Sequence, residues 1–127
     1  MKIGFIGAGK VGCTLGLYLK DSCEIVGYAS RTLDSAKEAA SITGSHYFET
    51  PLEVCEQSDL IYFTMPDGAI GETWEKLIAH PGARNALKGK IVAHASGSLS
   101  SDVFSGAKEL GALPCSTHPL YAISSKT

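Results

Sequence analysis

The chain predicts an α/β fold, a doubly wound, mainly parallel sheet of about six strands, and three observations carry that expectation. Its opening residues, MKIGFIGAGKVG, run as a short apolar strand straight into a glycine-rich turn and then a helix. Apolar runs of strand length alternate with stretches of helical periodicity along the rest of the chain. The first and fourth of these runs are apolar without a polar alternation, as strands buried on both faces of a parallel sheet are.

Ile3, Phe5 and Ile6 are the apolar and β-branched residues of the first strand, and Gly7, Ala8, Gly9, Lys10, Val11 and Gly12 fill a G-x-G-x-x-G pattern. Each glycine has a separate reason. Gly7 permits a tight turn, Gly9 removes the Cβ that would stand between backbone and a pyrophosphate, and Gly12 lets the helix pack close to the strand. The following helix aims free N–H groups and the positive end of its dipole at the same place. A glycine cluster can also be an ordinary turn. Here a strand leads into it and Val11, Leu15, Tyr18 and Leu19 recur behind it as one apolar stripe, so it reads as a dinucleotide-binding turn.

CEIVGYASRT supplies a second strand through Ile25, Val26 and Tyr28, which completes a β-α-β unit of about thirty residues. The tip of such a strand discriminates between dinucleotides. A site for NAD places Asp or Glu there, roughly 20 residues past the glycines, to accept from the ribose hydroxyls. This tip is Ser30, Arg31 and Thr32, without a carboxylate. Arg31 can stack on adenine and pair with a 2′-phosphate, and the two hydroxyls can donate to its other oxygens, so NADP is the expected cofactor. Thr32 also suits the cap of the next helix.

That helix, TLDSAKEAASI, puts Leu33, Ala36 and Ala40 on one face and is closed by Gly44. SHYFE is a short third strand. PLEVCEQS, with proline in a first-turn position, is a brief helix crossing to the other half of the sheet. DLIYFTMP is the fourth strand, stopped by Pro66, and its end places Thr64, Met65 and Pro66 on the nicotinamide side of the crevice. Asp67 is read as the cap of the helix GAIGETWEKLIA rather than as a catalytic acid; Ile70, Trp74, Leu77 and Ile78 form that helix's core stripe. HPGARNALKGK reads as a loop or frayed helix end. KIVAHAS is the fifth strand, with His94 a core residue. SGSLSSDVFSGAKELG is read as a helix with Leu99, Val103, Ala107 and Leu110 on one side, and ALPCSTHPL as the sixth strand, ending at His118 and Pro119.

At 127 residues the chain is one domain's worth and should fold alone. With 44% hydrophobic residues, 19% charged and a net charge of -2, it gives no reason to expect nucleic acid or an anionic membrane as partner. No apolar run approaches the ~18 residues that span a bilayer, and the first residues form a strand rather than a signal peptide, so the cytoplasm is the expected compartment. Cys13, Cys23, Cys55 and Cys115 are scattered and read as reduced, mostly buried small hydrophobes; with His46, His80, His94 and His118 also far apart, no metal site is expected.

With KIGFIGAGKVG, YASRT, DLIYFTMPD, AHASGS and THPL on the page, the whole chain resembles the N-terminal Rossmann domain of the family that joins a Rossmann-like domain to a domain of unknown function called DUF2520. It is more distantly similar to pyrroline-5-carboxylate reductases, 3-hydroxyacid dehydrogenases and prephenate dehydrogenases. The resemblance implies an oxidoreductase moving a hydride between NADP(H) and a small carbonyl, imine or hydroxy-acid substrate. It places Gly7, Gly9, Lys10, Val11 and Gly12 on the pyrophosphate and Ser30, Arg31 and Thr32 on the 2′-phosphate. Ser96, Gly97 and Ser98 would lie near nicotinamide and substrate, and His118 at the edge of the crevice. Ser98 reads equally as a helix cap, and His118 as a loop histidine held by backbone or as a general acid. The resemblance also implies a second, helical domain that completes the substrate pocket and dimerises. Residues 1–127 are therefore expected to be the cofactor domain of a longer two-domain protein or a natural short form, binding NADP(H) with little or no turnover alone.

The alternative is a non-catalytic NADP(H)-binding sensor or regulatory module, which shares every feature of the turn and which the sequence does not separate from the enzyme; two other classes fit less well. A methyltransferase using S-adenosylmethionine wants an acidic second-strand tip where Arg31 stands, and P-loop nucleotide hydrolysis lacks the G-K-[ST] after the glycines.

Overall fold

The computed structural model of the chain describes residues 1–65, 67–94 and 103–116, with the backbone alone for Asp67 and Ser116. Strand β1 (Lys2–Ile6) leads through the glycine turn into helix α1 (Lys10–Leu19), then β2 (Glu24–Ala29) and α2 (Leu33–Thr43). β3 (His46–Phe48) and α3 (Pro51–Gln57) cross the chain to β4 (Leu60–Phe63). α4 (Asp67–Ile78), α5 (Ala83–Leu87), β5 (Ile91–His94), a 3-10 turn (Lys108–Leu110) and β6 (Leu113–Ser116) follow. The strands form one sheet in the order β3-β2-β1-β4-β5-β6, every neighbouring pair parallel. The expected doubly wound sheet is thus present, and the order reverses between β1 and β4, the place where such folds bind ligands.

Alternate residues of each central strand serve opposite faces, so the sheet carries two cores. On one face Phe5 stacks between Tyr28 (4.9 Å between centroids) and Tyr62 (5.9 Å), under Leu15 of α1 and Ala36 and Ala39 of α2. On the other, Ile6, Ile61, Phe63 and Val92 meet Val54 and Cys55 of α3, Ile70, Trp74 and Leu77 of α4, and Ala83, Ala86 and Leu87 of α5. Phe104 closes this second core against Phe63, Trp74 and His94.

Several expectations are corrected here. In α1 the buried face is Gly12, Leu15 and Gly16, while Val11 and Tyr18 are 38% and 42% exposed. The Tyr28 ring occupies the space against the helix, and only residues without a Cβ leave room for it. Leu33 is likewise exposed, and α2 buries Ala36, Ala39, Ala40 and Thr43 instead. HPGARNALKGK is not a loop throughout, because Ala83–Leu87 forms α5 through its three buried apolar residues. Between Val103 and Ser116 there is no α-helix: Gly106 takes a positive φ of 80°, the Trp74 indole donates to the Ser105 carbonyl (2.8 Å), and the backbone forms 3-10 and turn conformations before β6. Leu99 lies outside the described residues. Of the cysteines, Cys55 alone is fully buried.

Candidate functional site

The carboxyl ends of β1, β2 and β4 open into a cleft of about 510 Å³, within the ordinary range of small-ligand pockets. Its floor is the glycine turn, held by three hydrogen bonds that the fold supplies. Gly7 N–H donates to the Ala29 carbonyl at the end of β2 (2.7 Å), and Thr64 N–H donates to the Ile6 carbonyl (2.9 Å). The Thr64 hydroxyl donates to the Gly7 carbonyl (2.9 Å). Gly7 has a φ of 110°, and a Cβ there would lie 2.9 Å from the Met65 nitrogen. Gly12 is buried against the Thr64 hydroxyl and the Gly7 carbonyl, so the start of α1 sits directly on the turn. Gly9 is different: a Cβ on it would meet nothing within 4 Å among the described residues. What that position keeps free is the open cleft.

Gly9 is also the N-cap of α1, and its contrast with the caps of α2 and α3 is informative. Thr32 caps α2 by accepting from Ser35 N–H, with Asp34 in the first turn; Thr50 caps α3 with Glu53 in a capping box. α1 has no side-chain cap and no acidic residue in its first turn, and its first backbone bond runs from Cys13 to Gly9. The N–H groups of Lys10, Val11 and Gly12 precede that bond, so they and the dipole remain available to an anion at Gly9. A pyrophosphate fits this cradle.

Of the residues singled out in the sequence, Gly7, Ala8, Gly9, Ser30, Arg31, Thr64 and Met65 line one cleft. Lys10 and Val11 are exposed at the start of α1, Gly12 is buried beneath the turn, and Thr32 caps α2; none of these four forms the cleft wall. Pro66, Ser96, Ser98 and His118 lie outside the described residues. His94 is completely buried, a core residue as expected.

The sequence reading missed the opposite wall. Ala69, Glu72, Thr73 and Lys76 of α4 line the cleft, with Pro51 from the start of α3. Their spacing of three and four residues is a second helical stripe beside the core stripe Ile70, Trp74 and Leu77, and that periodicity was visible in the sequence. Lys76 Nζ lies 3.3 Å from Glu72 Oε1, one turn apart on the helix. Among the described residues there is no group of three or more metal-binding side chains, and no helix long and apolar enough to cross a membrane.

Known structures share this fold. The chain is similar to a protein from Bacteroides fragilis provisionally assigned as an NADP oxidoreductase, at 27% identity and a TM-score of 0.67 over 84% of this chain and 40% of that one. It is similar to an imine reductase from Myxococcus stipitatus in complex with NADP+, at 20% identity and a TM-score of 0.70 over 89% and 39% of the two chains. A third is a 3-hydroxyisobutyrate dehydrogenase from Mycobacterium tuberculosis with L-serine, at 20% identity and a TM-score of 0.70 over 98% and 43%. At 20% identity the last two share the fold. The chain spans about two fifths of the length of these proteins. Among curated protein sequences none matches significantly. The model of the Rossmann-like domain family matches residues 1–119, and the chain belongs to that family.

Proposed function

We propose that this chain is the NADP(H)-binding domain of an oxidoreductase that transfers a hydride between nicotinamide and a small carbonyl, imine or hydroxy-acid substrate. The observation that carries the reading is the uncapped start of α1 at Gly9, opening into a cleft whose β2 rim is Ser30 and Arg31. In this reading the α1 N–H groups and the Gly7–Gly12 turn hold the pyrophosphate. Ser30 and Arg31 hold the 2′-phosphate, Thr32 orders the start of α2 behind them, and Thr64, Met65 and Pro66 flank the nicotinamide side. When bound, the dinucleotide supplies the hydride chemistry, and the protein supplies orientation and exclusion of water. Ser96, Ser98 and His118 are proposed to face the substrate, on the strength of the resemblance alone. The same reading includes a longer, cytoplasmic protein whose further helical domain completes the substrate pocket and forms a homodimer. The Bacteroides fragilis protein, described as an NADP oxidoreductase, supports the cofactor assignment.

The test is calorimetric titration of the chain with NADPH and, separately, NADH, repeated on Arg31→Ala. The expected result is tighter binding of NADPH, weakened in the variant by about 1.5–3 kcal/mol, the worth of a hydrogen-bonded charge, with NADH, which keeps only the adenine contact, affected much less. Binding of neither dinucleotide, or of both equally and independently of Arg31, would overturn the proposal.

A further inference from the structure

A second cation lines the cleft that the β2 tip borders. Arg31 stands on one wall, and Lys76 stands on the α4 wall with Glu72 one turn before it. The Lys76–Glu72 pair is largely open to water, with side-chain exposures of 77% and 68%, so its attraction is screened and weak. A phosphate monoester offers the ammonium more, with nearly two negative charges and three acceptor oxygens against the single charge of a carboxylate. The four-carbon stem of Lys76 lets it reorient without moving the helix. Glu72 opposes the same phosphate by like charge, since it is the one carboxylate among the described residues that line the cleft. Helix geometry fixes this pairing, because residues 69, 72, 73 and 76 share one face.

Building on the cofactor reading above, we propose that Lys76 and Glu72 form an exchange pair that sets discrimination between NADP(H) and NAD(H). Without a dinucleotide, Glu72 holds Lys76 against α4. When the 2′-phosphate enters beside Arg31, Lys76 leaves Glu72 for the phosphate, and the remaining charge of Glu72 limits the gain. Nicotinamide dinucleotides without that phosphate leave the pair intact. Discrimination therefore depends on a helix that follows the fourth strand, in addition to the tip of the second.

The experiment measures Kd for NADPH and NADH on the chain and on Lys76→Ala, Lys76→Arg, Glu72→Gln and Arg31→Ala, with the melting temperature of each ligand-free protein. Lys76→Ala is expected to weaken NADPH about threefold to fivefold and NADH by less than about twofold, the scale of an exposed charge contact. Glu72→Gln is expected to tighten NADPH alone, and Lys76→Arg to stay near the parent. Equal changes for both dinucleotides, or a change in melting temperature with Kd values unmoved, would mean that the pair only stabilises α4 and would overturn the inference. NADPH binding weakened by Arg31→Ala but not by Lys76→Ala would overturn it while leaving the cofactor reading intact. Binding of neither dinucleotide by the parent chain would overturn both.

Discussion

Gly16 shows how tightly the turn-bearing layer is packed. A Cβ at this position would run into the Tyr28 hydroxyl and lie 2.8 Å from the Thr43 methyl group. Tyr28 cannot move aside, because its ring stacks on Phe5 and its hydroxyl donates to the Gly12 carbonyl at 2.8 Å. Alanine gains about 1 kcal/mol over glycine in an open helix, whereas overpacking a fixed core costs about 1–3 kcal/mol, so the clash should win. Gly16→Ala is expected to lower unfolding stability in denaturant titration; a rise would show that the ring yields. Cys55 makes a second case. Burial pushes its thiol up from the ordinary 9.0 to about 12, with Lys90 pulling the other way. Because the folded state holds the proton more tightly, its contribution is complete below about pH 9 and is lost as pH rises toward 12. Tyr28, whose phenol burial also pushes up, acts in the same direction. These two groups should lower stability by up to about 1.4 kcal/mol per pH unit each, Cys55 above about pH 9 and Tyr28 above about pH 10, which unfolding measured across that range would check.

α3 is too short to hold itself. Seven residues lie well below the length at which a helix is stable alone, so its ends must be fixed by other means. Thr50 N–H donates to Glu53 Oε1 at 3.2 Å while Glu53 N–H donates to the Thr50 hydroxyl at 3.3 Å, and Pro51 presets the first turn. Thr50→Ala is expected to cost about 1 kcal/mol of stability with an unchanged denaturant slope. A much smaller loss would mean that packing of Val54 and Cys55 alone fixes the helix. Local chemistry of this kind was legible in the sequence: the Pro51 start, the Gly44 close at a φ of 69°, and the apolar strands all stand where residue preference puts them. Elements decided by contacts distant in sequence were not. α5 has only five residues and forms because Ala83, Ala86 and Leu87 find the second core. The segment after Val103 has helical periodicity, yet Gly106 and the Trp74–Ser105 bond take its backbone elsewhere. In α1, counting large apolar residues found Leu15 and Leu19 but wrongly added Val11 and Tyr18 and passed over Gly12 and Gly16, since the partner is a tyrosine ring that requires glycines beneath it.

The cleft exists only because the sheet brings β1, β2 and β4 side by side, so its near wall was readable and its far wall was not. The glycine turn and the Ser30–Arg31 tip are short motifs whose geometry follows from adjacent residues. Glu72 and Lys76 reach the same space from α4, more than forty residues beyond Arg31. In the proposed reading, the space above Gly9 is kept clear for a pyrophosphate. Gly9 has a φ of -80° and ψ of -167°, open to any residue, and a Cβ there touches none of the described residues. Gly9→Ala therefore separates fold from binding. Calorimetric titration of this variant with NADPH, beside its melting temperature, should show an unchanged fold and affinity lowered by at least about tenfold. An unchanged fold with unchanged affinity would contradict the account, because the pyrophosphate would then lie elsewhere.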